Sequence, residues 1–284
     1  MNRKRLGITL IEVLIVISIL SFLISLILPA IFAARDLSLQ LKSKNKLFAL
    51  FLATEQLASI HNGQLPTSVE LLSAKSPKGP VHWYLIPYLD GGKAYLESIV
   101  DPNYPGATSK YIFSAFISPA DFTVPLMKKT FMCSYPANAQ VFGRNANLNN
   151  SFRDGTSNTI LFSEHYAGCN NVLFQFSNNL YNPMCYIDRR STFADGGIPG
   201  YPTYGDVYPI PSSSPPGTMP SVPGKTFQVR PSQTDCDSTI PQTPHSALLC
   251  GFADGSVRSL GKNISENVFW SLVTMDGGEA VSAD

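Results

Sequence analysis

From Ile8 to Ala34 the chain is almost purely apolar, broken only by Thr9, Glu12, Ser18, Ser21 and Ser25. At about 1.5 Å per residue such a stretch makes a helix of roughly 40 Å, longer than the ~30 Å hydrocarbon core of a bilayer. It also exceeds the ~7–15-residue apolar region of a secretory signal. From Asp36 to His61 the pattern turns amphipathic. Leu37, Leu41, Phe48 and Phe51 recur at helical intervals, with Leu50, Leu57 and Ile60 on a neighbouring strip. Lys42, Lys44, Lys46, Glu55 and Gln56 supply polar surface. The pattern predicts one helix from about Ile8 to about Ser59, its first half in lipid and its second half the spine of a soluble domain. His61-Asn62-Gly63 should stop it, because Asn and Gly accept the left-handed conformation at a helix end. Pro29 lacks the donor for the Ser25 carbonyl and should kink or loosen the apolar half.

Beyond residue 62 the periodicity becomes that of short strands. Turn-forming pairs recur at Asp90-Gly91, Asp154-Gly155, Asp195-Gly196, Asp254-Gly255 and Asp276-Gly277. Thr159 to Phe162 reads as a strand. Ala247 to Ala253 and Ser256 to Leu260 flank Asp254-Gly255 and read as a hairpin. Ile264 to Met275 reads as a closing helix with Ser265 as N-cap and Glu266 in its first turn. Residues 196–244, rich in Pro, Gly and Ser, read as a long surface loop or insertion. The expected organisation is a leader at 1–7, a membrane helix at 8–34, an amphipathic spine at 35–61 and a β-rich domain at 62–284. The fold class is α+β.

Charge adds one exclusion. Net charge is +1, and without residues 1–7 it is −2, with 18 basic against 20 acidic residues. Neither value gives the concentrated basic face of a nucleic-acid binder. Five cysteines contain no Cys-x-x-Cys pair, which argues against a zinc ribbon or thioredoxin-type site. In an oxidising compartment Cys169 with Cys185 would close a short loop, and Cys250 would be a buried thiol. The alternative is five small core residues.

Glu12 is the informative residue of the apolar stretch. A carboxylate inside a membrane helix costs roughly 2.5–3.5 kcal/mol, less near the helix end. It is either a tolerated boundary residue or one that meets a positive partner, such as an amine left by cleavage after Gly7. Together with Pro29, Gly7-Ile8-Thr9-Leu10-Ile11-Glu12 resembles the processing motif of type IV prepilins and type II secretion pseudopilins. That resemblance implies that prepilin peptidase cuts after Gly7 and that Ile8 becomes the methylated N-terminus. Glu12 would then pair with the terminal amine of an adjacent pilin-like subunit. It also implies a bacterial inner-membrane protein with a cytoplasmic N-terminus and an extracytoplasmic C-terminal domain.

Four further segments carry a second resemblance. They are Trp83 to Leu89, Phe131 to Pro136, the run from Asp154 to Glu164 (DGTSNTILFSE), and His245 followed by Phe252 to Arg258 (FADGSVR). Together they resemble the bacterial family called domain of unknown function 1559, which implies a pilin-like architecture and brings no established activity. Ser43-Lys44-Asn45-Lys46 stands where that family commonly has a Cys-x-Asn-Asn-Leu-Lys-Gln pattern.

No nucleophile elbow, P-loop or His-Glu-x-x-His is present, and no catalytic residue or cofactor is expected. Ser43-x-x-Lys46 falls on the spine helix rather than in a pocket. His165 and Cys169 could share a metal on a helix but lack further ligands. Asp154 and Asn158 are candidate calcium ligands, against the reading that they brace a tight turn. His245 and Asp254 carry the same choice between ligand and hairpin brace. The leading expectation is a non-enzymatic pilin or pseudopilin subunit. The alternative is a single-pass anchor carrying a binding or enzymatic domain that does not polymerise.

Overall fold

The computed structural model describes residues 9–66, 80–89, 92, 95–96, 113–127, 132–144, 146–170, 172–175, 188–194, 225–238 and 240–278. In chain order the elements are α1 (Leu10–Ile60), α2 (Val81–Leu85), α3 (Thr123–Met127), β1 (Ala137–Asn138), α4 (Ala139–Phe142), β2 (Ile160–Ser163), β3 (Gly168–Cys169), β4 (Val172–Gln175), β5 (Asp188–Arg190), β6 (Thr192–Phe193), β7 (Gln228–Val229), β8 (Gln242–Thr243), β9 (Ala247–Phe252), β10 (Val257–Gly261) and α5 (Glu266–Ser271). The chain divides into two compact units, Met1–Leu41 and Lys42–Asp284.

In the first unit α1 runs unbroken through Pro29. The proline costs the hydrogen bond to the Ser25 carbonyl without ending the helix. Side chains from Leu10 to Arg35 are all exposed. Ser18, Ser21 and Ser25 return their hydroxyls to the carbonyls of Ile15, Ile17 and Phe22, so the helix shows few bare polar groups. Among the described residues α1 is the one helix long and apolar enough to cross a membrane.

In the second unit the later turns of α1 form one wall of an α+β domain. The buried face is Ser43, Leu47, Leu50, Ala53, Thr54, Leu57 and Ala58. This corrects the expected stripe, because Leu37, Leu41, Phe48 and Ile60 are exposed and Phe51 is half-buried. Leu50 and Leu57 of the neighbouring strip are buried, and the face they share includes a serine and a threonine that an apolar count does not register. Thr54 returns its hydroxyl to the Leu50 carbonyl and is buried without penalty. The stop at Asn62-Gly63 holds. Both residues have positive φ, 55° and 85°, and the Gly63 N–H closes back on the Ala58 carbonyl at 2.7 Å.

The main sheet has the order β10-β9-β2-β1-β6, antiparallel except for the parallel β1–β6 pair. The hairpin at Asp254-Gly255 is present, with Val257 opposite Gly251 and Gly261 opposite Ala247. Smaller sheets join β3-β4-β5 and the parallel pair β7-β8. One core lies between α1, α2 and the sheet, centred on Leu47, Leu50, Trp83, Phe116, Tyr135 and Phe162. A second gathers Phe252, Phe269 and Trp270 under α5. The Ser265 hydroxyl accepts from the Val268 N–H as the predicted cap, though α5 is shorter than expected and ends at Ser271.

Two expectations for residues 169–244 are corrected. Residues 240–243 are buried and carry β8, so the surface-loop reading fails for them, while 225–235 hold β7 and a turn in which every residue is exposed or half-buried. Trp270 Nε1 donates to the Lys225 carbonyl, and Gln242 Oε1 accepts from the Tyr166 N–H. Residues 196–224 lie outside the described residues. The disulfide joins Cys169 to Cys236, with a Cα–Cα distance of 5.6 Å, rather than Cys169 to Cys185. Nearness in sequence was the wrong guide here. The Asn170 N–H donates to the Gln233 carbonyl and seats the 230s turn against β3, which brings Cys236 beside Cys169. Cys185 lies outside the described residues. Cys250 is a buried free thiol, as is Cys133.

Candidate functional site

The N-terminal segment begins with a cap. Glu12 Oε2 accepts from both the Thr9 N–H and the Thr9 hydroxyl, each at 2.8 Å, and Thr9 Oγ1 faces the Glu12 N–H at 3.4 Å. This is the reciprocal arrangement of a capping box, which satisfies donors that the first helical turn leaves open. The Thr-x-x-Glu spacing that predicts it was legible in residues 9–12. Glu12 therefore has a local role in the single chain, and its exposed carboxylate sits one turn from the predicted cleavage point. Gly7 and Ile8 lie outside the described residues. Pro29 is exposed within the helix.

Inside the second unit, α1, β8 and the segment after β8 converge on Glu164, the residue that follows β2. It is fully buried. Ser43 of α1 donates to Oε1 at 2.5 Å, and Thr243 of β8 donates to Oε2 at 2.7 Å. His245, also fully buried, places Nε2 3.5 Å from Oε1. Tyr135 Oη lies 2.7 Å from Ser43 Oγ, and Ser118 Oγ lies 3.3 Å from it. Burial pushes the Glu164 carboxyl up to about 7, against the pull of the two hydroxyl donors. Burial and the nearby Glu164 charge together hold the Tyr135 phenol well above its usual range. Glu164 and His245 come from two different segments of the second resemblance, and the fold sets them side by side. Ser43 is the unforeseen member. The sequence marks it as the serine of a Ser-x-x-Lys pattern, which gives no hint that it reaches a buried carboxylate.

A second buried carboxylate, Asp121, lies close by. It accepts from the Thr123 N–H and hydroxyl, the Ser134 hydroxyl and the Ala167 N–H. Burial raises it, and these four donors oppose the rise. They tie α3, the Cys133–Pro136 segment and the approach to β3 together. His82 Nε2 lies 2.7 Å from the Tyr135 carbonyl oxygen, and desolvation pushes the ring down to about 4, so it stays neutral. Lys46 of the Ser-x-x-Lys pattern donates to the carbonyls of Ser114 and Ile117.

The metal candidates are placed as turn braces. Asp154 Oδ2 accepts from the Gly277 N–H at 2.8 Å and Oδ1 from the Gly278 N–H at 2.9 Å, so both oxygens hold the C-terminal turn. Asn158 Nδ2 donates to the Asp154 carbonyl, so its amide nitrogen rather than its oxygen faces that residue. These bonds are the ones the turn-brace reading expects. His165 and Cys169 do not share a metal. His165 Nδ1 lies 2.6 Å from the Tyr166 carbonyl, and Cys169 is in the disulfide. Asp254 accepts from the Ser256 N–H and hydroxyl within the hairpin turn. Among the described residues no three His, Cys, Asp or Glu side chains cluster as metal ligands. An open groove of about 470 Å³ lies beside the end of α1, between Phe51, Glu55, Asn62, Leu148 and Asn149.

Comparison with known proteins bears on the N-terminus. Residues 2–28 match the family described as the Prokaryotic N-terminal methylation motif. The match spans the predicted cleavage point, Glu12 and most of the apolar stretch, and it supports a prepilin-type protein anchored in a membrane by α1. No curated protein and no solved structure matches the chain.

Proposed function

We propose that the chain is a non-enzymatic pilin or pseudopilin subunit, cut after Gly7 by prepilin peptidase and methylated on Ile8. It then assembles with other pilin-like subunits by packing α1 into a pilus or a type II secretion pseudopilus. The observation that carries this reading is the methylation motif at residues 2–28, continuous with a helix whose apolar side chains are bare in the single chain. Before assembly the bilayer covers those side chains, with the N-terminus cytoplasmic and the domain outside. After assembly, neighbouring helices cover them. Glu12 then exchanges or shares its cap with the terminal amine of an adjacent subunit, which offsets the burial of its charge. The domain beyond residue 42 forms the outer surface and belongs with the family called domain of unknown function 1559.

The test is Glu12→Ala in the native host. Cleavage and membrane level should match wild type, while recovery in high-mass assemblies falls at least about tenfold, the effect of losing a buried charge pair. Unchanged recovery, or no assembly in wild type either, would leave an anchored domain that does not polymerise.

A further inference from the structure

The shell around Glu164 can serve two protonation states without moving a heavy atom. As a carboxylate, Glu164 accepts from Ser43 and Thr243. As a neutral acid it can instead donate to Thr243 Oγ1, whose own proton turns to the Ala247 carbonyl at 3.3 Å. Ser43 likewise has Tyr135 and Ser118 as alternative partners. Hydroxyl rotors allow such a switch because each is both donor and acceptor. The titratable groups facing Glu164 are His245, Asp121, Tyr135, Tyr166 and Cys250. Of these only His245 can carry a positive charge, at 3.5 Å. While one proton resides on either Glu164 or His245, the pair is net neutral. When that proton leaves, a bare carboxylate remains in the interior with Asp121 as a like-charged neighbour.

We propose that Ser43, Glu164, Thr243 and His245 form a proton-operated clamp, which fastens the spine turns of α1 to β2 and β8 in acid and loosens as pH rises through neutrality. The clamp joins α1 to the domain through Ser43 and Glu164, and it gathers in the disulfide-tethered β7–β8 segment through Thr243. The inference does not depend on polymerisation. Its sign follows from the direction of the shift. The folded-state carboxyl is raised from 4.5 to about 7. The folded protein therefore holds a proton that the unfolded chain has released. Glu164's own contribution is complete below about pH 4.5 and is lost as pH rises through about 7.

The test uses the full chain in detergent micelles. Thermal unfolding and amide hydrogen exchange across residues 43–58, corrected for intrinsic exchange, are followed from about pH 5 to about pH 8. In wild type the protection of these amides should fall by one to two orders of magnitude, the scale set by a shift of this size. Glu164→Gln should flatten the profile. If that variant fails to fold, infrared difference spectra of wild type and Ser43→Ala decide the matter. A protonated carboxyl band that persists above pH 6 and has a midpoint moved by Ser43→Ala supports the clamp, because Ser43 touches Glu164 and not Asp121. A flat wild-type profile, a slope unchanged in Glu164→Gln, or a carboxyl band indifferent to Ser43→Ala would overturn it.

Discussion

Glu12 and Glu164 are both carboxylates set among apolar residues, and the molecule treats them in opposite ways. Glu12 is exposed, bonded only to Thr9 among the described residues, on a helix that buries none of its side chains from Leu10 to Arg35. Glu164 is fully buried, with donors from α1 and β8 already in place. Among the described residues, the domain's carboxylate finds its donors inside the domain, whereas the apolar side chains from Leu10 to Arg35 are uncovered. A carboxyl whose partners are internal ties the elements of one fold together. A charge held only by its own helix cap is open to a partner from outside.

The contrast should be plainest in stability. Trp270 is buried between Phe269, Phe227 and the Lys225 carbonyl, so Trp270→Ala should cost about 3–5 kcal/mol in chemical denaturation of the detergent-solubilised chain. Leu20→Ala should leave that domain transition within about 0.5 kcal/mol, because Leu20 is exposed. Equal losses would erase the distinction between the two regions.

Next in size is the disulfide. Cys169 and Cys236 are separated by 67 positions, and closing a loop of that length stabilises by about 4 kcal/mol in the chain-entropy picture. Cys169→Ser should lower the domain's stability by an amount of that order, with first loss of protection around β7 and β8. Cys185→Ser should change it little. The reverse ranking would restore the pairing expected from sequence nearness.

The smallest effect belongs to the cap. Thr9→Ala removes a hydroxyl that both donates to Glu12 and accepts from its N–H. It should fray the first turn by about 1 kcal/mol, visible as faster amide exchange near residues 10–13, with no change in the domain.

The sequence made local features legible. The extent of α1, its Asn62-Gly63 stop, the hairpin at Asp254-Gly255 and the Ser265 cap each follow from a few adjacent residues acting through short-range geometry. The seam of α1 was only partly legible, because Ser43 and Thr54 are buried by bonds to Glu164 and to the Leu50 carbonyl, which an apolar count does not register. The Cys169–Cys236 pair and the meeting of Glu164 with His245 depend on strands that come together from distant parts of the chain, and spacing carries no trace of that. At the N-terminus the processing motif was legible because a peptidase must read it as linear sequence. The Thr9–Glu12 box was equally local.

Mass spectrometry of the N-terminus of native, membrane-extracted protein reads out prepilin-type processing itself. A chain beginning at N-methylated Ile8 is the predicted result and makes Glu12 the fifth residue of the processed subunit. A chain that still carries Arg3, Lys4, Arg5 and Gly7 in cells containing active prepilin peptidase would contradict it.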